Sequence, residues 1–287
     1  MCAPLHRLVL IVLVFFLTLA ASAAIVPSRA QAQGKLEAHY IATLAGLPIG
    51  KGTWAIDIAD DRYTAAASAI TTGLMRVFTG GQATGAARGT LSGGQVMAST
   101  YSATIQTNRK ADEVQMTVTG GTVKDFKADP PVEPDPERVP VTDAQRQGVM
   151  DPMTGTLVRM SGNGDPRSPD ACQRNLSIFD GRLRYDLHFV FKRMDSVQAD
   201  KGYVGPVVVC AVYFTPVAGF VPSRAAIKYL AASRDIEVWL APIAGTRVLV
   251  PFRVQLQTPI GLGVIEATHF VSAAMPARAA AKGARTQ

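Results

Sequence analysis

Between Lys35 and Val271 apolar residues recur at every second position, the spacing of strands with one face buried, and a helical period of 3.6 is rare. Leu36, Ala38, Tyr40, Ala42 and Leu44 share one parity, with Lys35, Glu37, His39 and Thr43 on the other. After a turn expected over residues 46–50, Trp54, Ile56 and Ile58 alternate in the same way. A third strand, Tyr63 to Ile70, carries mostly alanine, threonine and serine. Side chains that small either leave room for something bulky to lie against the strand or make a thin sheet. The same pattern predicts strands at 95–106, 113–119, 122–127, 175–179, 182–192, 236–240, 247–258 and 261–271. Val207 to Phe214 is apolar without interruption, as in a strand buried on both faces.

The connections are read from their turn chemistry. Gly120-Gly121 and Asp180-Gly181 each predict a two-residue hairpin turn, with Asp180 accepting local backbone hydrogen bonds and tolerating positive φ. The glycine-rich stretch 73–94, with its apolar cluster Leu74, Met75, Val77 and Phe78, reads as a brief helix or a loop-covered turn. Residues 128–140 contain five prolines and read as a loop. Short helical turns are expected from Thr142 to Gln147 and from Asp151 to Met160, and Ser223 to Ala232 as a short helix or an irregular crossing. Ten or more strands with few helices predict a mainly β fold with a minor α part. Short connections make it one large curved antiparallel sheet, or open β-barrel, around the central helical segment.

Composition adds a compartment. His6 and Arg7 precede an apolar run from Leu8 to Leu17 and then small residues, the pattern of a secretory signal peptide cleaved after Ala23 or, preferably, Ala32. The run is shorter than the roughly 20 residues that span a bilayer, and no later segment could span one. The expected organisation is therefore a signal at 1–32, one β-rich domain at 33–272 and an unstructured basic tail at 273–287, in a periplasmic protein. The formal charge of +7 falls by two with the signal, and Arg278, Lys282 and Arg285 account for much of the remainder, so nucleic acid is not expected as a partner. In an oxidising compartment the two cysteines left, Cys172 and Cys210, most economically form one disulfide. A redox pair would have Cys-x-x-Cys spacing, and a zinc site would need more ligands.

Candidate chemistry is sparse. There is no Gly-x-Ser-x-Gly elbow, and His39, His188 and His269 sit in predicted strands beside mixed or polar residues. The segment Gly46 to Gly52 is one residue short of a phosphate loop. Asp180 is assigned to its turn and Asp186 to charge pairing beside Arg184. The reading is a non-enzymatic protein with no catalytic residue, metal site or cofactor.

Val149-Met150-Asp151-Pro152-Met153-Thr154, Ile178 to Tyr185, Pro216 to Phe220, Trp239-Leu240 and Val250-Pro251 together resemble the exported bacterial family called domain of unknown function 3108. The resemblance covers roughly residues 35–272. It implies a secreted or periplasmic β-rich protein of Gram-negative envelopes, with no established enzymatic activity. By looser analogy of architecture, the fold looks like the curved open barrels that carry lipoproteins or lipids across the periplasm. The corresponding expectation is an apolar concavity for a lipid, an acyl chain or a lipoprotein, lined or plugged by Leu74, Met75, Phe78, Met153, Leu157 and Met160. The alternatives are a scaffold that binds other envelope proteins and, remotely, a hydrolase.

Overall fold

The period-two patterning becomes fifteen strands of one sheet. The structure is a computed structural model that describes residues 33–59, 61–73, 80–92, 94–108 and 110–276. Leu74, Met75 and Phe78, and the tail after residue 276, lie outside the described residues. The first half is a meander of β1 (Gly34–Leu44), β2 (Leu47–Ala59), β3 (Arg62–Thr71), β4 (Gly81–Ser92), β5 (Gln95–Thr107), β6 (Ala111–Thr119) and β7 (Thr122–Asp129). A proline-rich crossing then leads to α1 (Pro152–Gly155), β8 (Val158–Arg159), β9 (Arg174–Phe179), β10 (Arg184–Gln198), β11 (Lys201–Gly202) and β12 (Val204–Ala218). Helix α2 (Ala225–Ala232), β13 (Glu237–Pro242), β14 (Val248–Thr258) and β15 (Gly261–Ala274) complete the domain.

The strand order is β7-β6-β5-β4-β3-β2-β1-β15-β14-β13-β12-β10-β9, with β8 beside β14 and β11 beside β15. All ladders are antiparallel except the short β11–β15 pair. Residues on both sides of the proline-rich segment therefore belong to one sheet. Its edge strands β7 and β9 curl toward each other, so that Phe126 and Phe179 meet edge to face at 5.8 Å. Residues 149 and 150 span this seam. The Val149 N–H donates to the Gly121 carbonyl at 2.8 Å and the Met150 N–H to that of Ser177 at 3.0 Å. The sheet is thus not closed by a continuous ladder; side chains and a short bridging segment span the seam between its edges.

Among the described residues three apolar clusters hold the curl, the smallest being Ala98, Met116, Val118, Val123, Val149 and Phe179 at the seam. Of the other two, the larger joins Leu36, Trp54, Ile56 and Tyr63 to Leu157, Val207, Trp239, Val250 and Phe252. The second joins Leu176, Ile178 and Phe189 to Val158, Val208, Cys210, Leu240 and Leu249. Successive residues of β12 alternate between these two clusters, which is why Val207 to Phe214 reads as apolar on both parities. The disulfide forms: Cys172 and Cys210 are bonded with Cα atoms 5.4 Å apart, and both are fully buried.

Four local features differ from the pattern's expectation. Residues 81–92 form strand β4, because its glycines serve close approach: a Cβ on Gly89 would lie 2.0 Å from the Met97 carbonyl oxygen and 2.7 Å from the Tyr63 ring. The β1–β2 turn is Ala45-Gly46, both at positive φ, and Pro48 sits in β2 at a bulge. The helix expected from Asp151 to Met160 is one turn, since the chain re-enters the sheet at β8. The Asp180-Gly181 turn is a four-residue connection with Phe179 opposite Arg184. The Asp180 carboxylate accepts from the N–H groups of Arg182 (2.8 Å) and Leu183 (2.6 Å), and of the turn pair Gly181 alone has positive φ.

Candidate functional site

The antiparallel register aligns side chains of β1 to β5 in rows across the concave face. Leu36, Ile56, Ala65, Ala87 and Tyr101 form one row, and Ala38, Trp54, Ala67, Gly85 and Ala103 the next. A third row runs Tyr40, Gly52, Ala69, Ala83 and Ile105. In the last, Ala42 faces Gly50, Gly50 faces Thr71, and Gly81 faces Thr107. Large side chains in the first row pack the core. From the second row on, β3 and β4 carry nothing larger than a threonine.

Helix α1 fills the gap in the second row. Met153 packs against the larger cluster, its sulfur 3.2 Å from where a Cβ on Gly85 would sit. The helix is held by Asp151 at its N-cap, whose carboxylate accepts from the Thr154 N–H at 2.8 Å and from the Thr154 hydroxyl. The Tyr63 hydroxyl in turn donates to Thr154 Oγ1 at 2.5 Å. Asp151 and Thr154 are wholly buried. Burial raises the Asp151 carboxyl above the ordinary range, against the lowering effect of its Thr154 hydrogen bonds. The Asp180 carboxyl is likewise raised by burial, against the lowering effect of the Leu183 and Arg182 N–H groups. Tyr63, Tyr101 and Tyr185 are raised chiefly by burial as well.

No described side chain fills the third and fourth rows. They floor an open trough of about 470 Å³ bounded by Tyr40, Ile49, Ile105 and Ile265. Its hydroxyl groups are already engaged, while Lys51 also lines it. The Tyr40 hydroxyl donates to the Pro251 carbonyl at 2.7 Å, and the Thr71 hydroxyl accepts from the Gly81 N–H at 2.8 Å. The Thr107 hydroxyl exchanges hydrogen bonds with the Lys110 backbone. What the trough offers a ligand is therefore apolar contact on a floor of small residues, with a volume in the range of about 300–1,000 Å³ typical of small-molecule sites.

A second concavity of about 520 Å³ lies at the seam, among Phe126, Val132, Val141 and Phe179. Arg138, Arg146 and Arg182 border it. Arg146 stacks over Phe126 at 4.5 Å, Arg182 pairs with Asp112 at 2.8 Å, and Arg138 donates to the Gly219 carbonyl at 2.6 Å.

Of the lining residues expected from sequence, Met153 plugs the row beside the trough, while Leu157 belongs to the larger cluster and Met160 packs on the second. Leu74, Met75 and Phe78 fall outside the described residues. The trough's own floor, Gly50, Gly52, Ala69 and Ala83, is signalled in the sequence only by the small-residue third strand. The histidines are not gathered: His39 stacks on His269 at 4.8 Å across β1 and β15, and His188 bonds Asn175. Among the described residues no group of three or more histidine, cysteine, aspartate or glutamate side chains could hold a metal ion. No described helix is long and apolar enough to cross a membrane.

Comparison with known proteins gives a family without an activity. The family described as "Protein of unknown function (DUF3108)" matches residues 37–268. No curated protein matches the chain. Among solved structures, a β-barrel-like protein of domain of unknown function DUF1849 from Brucella abortus is similar at 8% identity, covering 85% of this chain and 99% of that one, with a TM-score of 0.46.

Proposed function

The chain belongs to the DUF3108 family of proteins of unknown function, and from that premise we propose that it is a non-enzymatic, periplasmic binding protein of the bacterial envelope, which holds an acyl chain of a lipid or lipoprotein in the β1–β5 trough. One observation carries this reading. The gap left by small side chains in the second row is filled by Met153, whereas among the described residues the equivalent gap over Gly50, Gly52, Ala69 and Ala83 is open and lined mainly by apolar groups. An alkyl chain needs no hydrogen-bond partner, so it suits a surface whose hydroxyl groups are already paired. The signal-like pattern of residues 6–32 and the buried disulfide support an exported protein.

The test is titration with a fluorescent acyl probe such as cis-parinaric acid. Wild type is expected to bind saturably. Ala69→Trp lays an indole over the floor at a solvent-exposed position, so it should weaken binding by at least about tenfold, or about 1.4 kcal/mol, while leaving the melting temperature unchanged. Equal affinity of the two proteins would remove the trough as the site. A second reading, a scaffold for another envelope protein, is favoured by the seam. There an apolar crevice bordered by Arg138, Arg146 and Arg182 adjoins edge strand β7 and suits an acidic or C-terminal peptide segment. Cross-linking that recovers a stoichiometric partner, lost on Arg138→Glu, would support the scaffold.

A further inference from the structure

The trough opens toward the end of the sheet where the β1–β2, β5–β6 and β14–β15 turns gather, since its rows are the last before those turns. Two of the turn tips are joined. The Ala45 N–H donates to the Leu262 carbonyl at 2.9 Å, and a Cβ on Gly261 would lie 2.7 Å from that of Ala45. Together they present Leu47 and Ile260, which are 66% and 72% exposed, with Leu262 beside them. Large aliphatic side chains held at paired tips of a rigid sheet contribute nothing to its core. An apolar projection of this kind marks a contact surface.

Charge identifies the contact. No aspartate or glutamate occurs between Glu37 and Asp57, between Asp61 and Asp112, or between Glu237 and Glu266. Those intervals include all three turns. The acids nearest this end are Glu266, opposite Ile41 and paired with Arg253 at 3.6 Å, and Asp112, paired with Arg182. Lys51, which faces Ile41 and Ile70 across its neighbouring strands, and Lys110 in the β5–β6 turn supply cations. Apolar tips that can enter the acyl boundary, flanked by lysines and free of carboxylates, have the make-up of a surface that sits on an anionic bilayer. We propose that this end of the barrel docks on anionic phospholipid membrane, with Leu47 and Ile260 inserted. The inference rests on the acyl-chain reading of the trough, for which it supplies the route: the open rows would face the bilayer from which a chain is drawn.

The experiment is flotation of the purified protein with vesicles of phosphatidylcholine alone or with added phosphatidylglycerol, run beside the acyl-probe titration. Wild type should float with the anionic vesicles and be released by salt. Leu47→Asp combined with Ile260→Asp should lower the partition coefficient by at least about tenfold while keeping probe affinity and melting temperature, because both positions lie outside the trough and the core. Both proteins carry the same basic C-terminal residues, so the difference between them reads the tips. Equal flotation of the two, or flotation of neither, would overturn the docking surface and leave the trough reading standing. Failure of wild type to bind the probe, whatever the vesicles show, would overturn the trough reading instead.

Discussion

Cys172→Ser is expected to lower the melting temperature under oxidising conditions by on the order of 10 °C. Cys172 and Cys210 lie 38 positions apart, and a cross-link of that span stabilises by about 4 kcal/mol on the chain-entropy account. Its position adds to the effect. Cys172 ends a short 3-10 turn, Cys210 lies in β12, and both sit inside the cluster that packs β9 and β10 against β12 to β14. Cys210→Ser and the double variant should fall to the same temperature as Cys172→Ser, because all three lose one and the same bond. A double variant that falls about twice as far as either single one would show that the cysteines act separately.

The second large effect is expected at Asp151, a residue that no catalytic motif marks. Asp151→Ala removes the α1 cap and leaves the buried Thr154 N–H without its acceptor, together costing about 3 kcal/mol. Met153 should then lose its place over Gly85. Asp151→Asn keeps the acceptor and separates the charge from the hydrogen bond. The native carboxyl titrates above its ordinary value of 3.8 because it is buried. The folded state therefore holds the Asp151 proton more tightly than the unfolded state does. This stabilisation is fully present below about pH 4 and is lost as pH rises through the folded-state value. The stability of Asp151→Asn relative to wild type should accordingly increase as pH is raised from about 4 toward neutrality. Denaturant titrations across that window check the sign, and a difference that shrinks with rising pH would mean that the carboxylate is stabilised by its site.

The architecture is legible in the sequence because burial on one face imposes alternation. Leu36 to Leu44, Trp54 to Ile58 and the doubly apolar Val207 to Phe214 all occupy the faces their patterns imply. Strand β4 is not legible, since Gly81, Gly85 and Gly89 look like loop punctuation until Met153, the Met97 carbonyl and Tyr63 are seen against them. Register also lies beyond the pattern. Alternation puts Ala69 on the parity of Tyr63, but only pairing shows that Gly52, Ala69 and Ala83 fall in one row. The trough is a property of that row. Single strands can hint at it only through the alanines after Tyr63. Asp151 reads as a helix start and does cap α1, while nothing in the sequence signals that it is wholly buried.

The most direct measurement is mass spectrometry of the organic extract of this protein purified from its native cells, wild type beside Ala69→Trp. A lipid with an acyl chain, recovered at close to one per protein from wild type and depleted from Ala69→Trp, is the expected result. Extracts without lipid, or with the same lipid in the same amount from both proteins, would contradict the assignment of the trough.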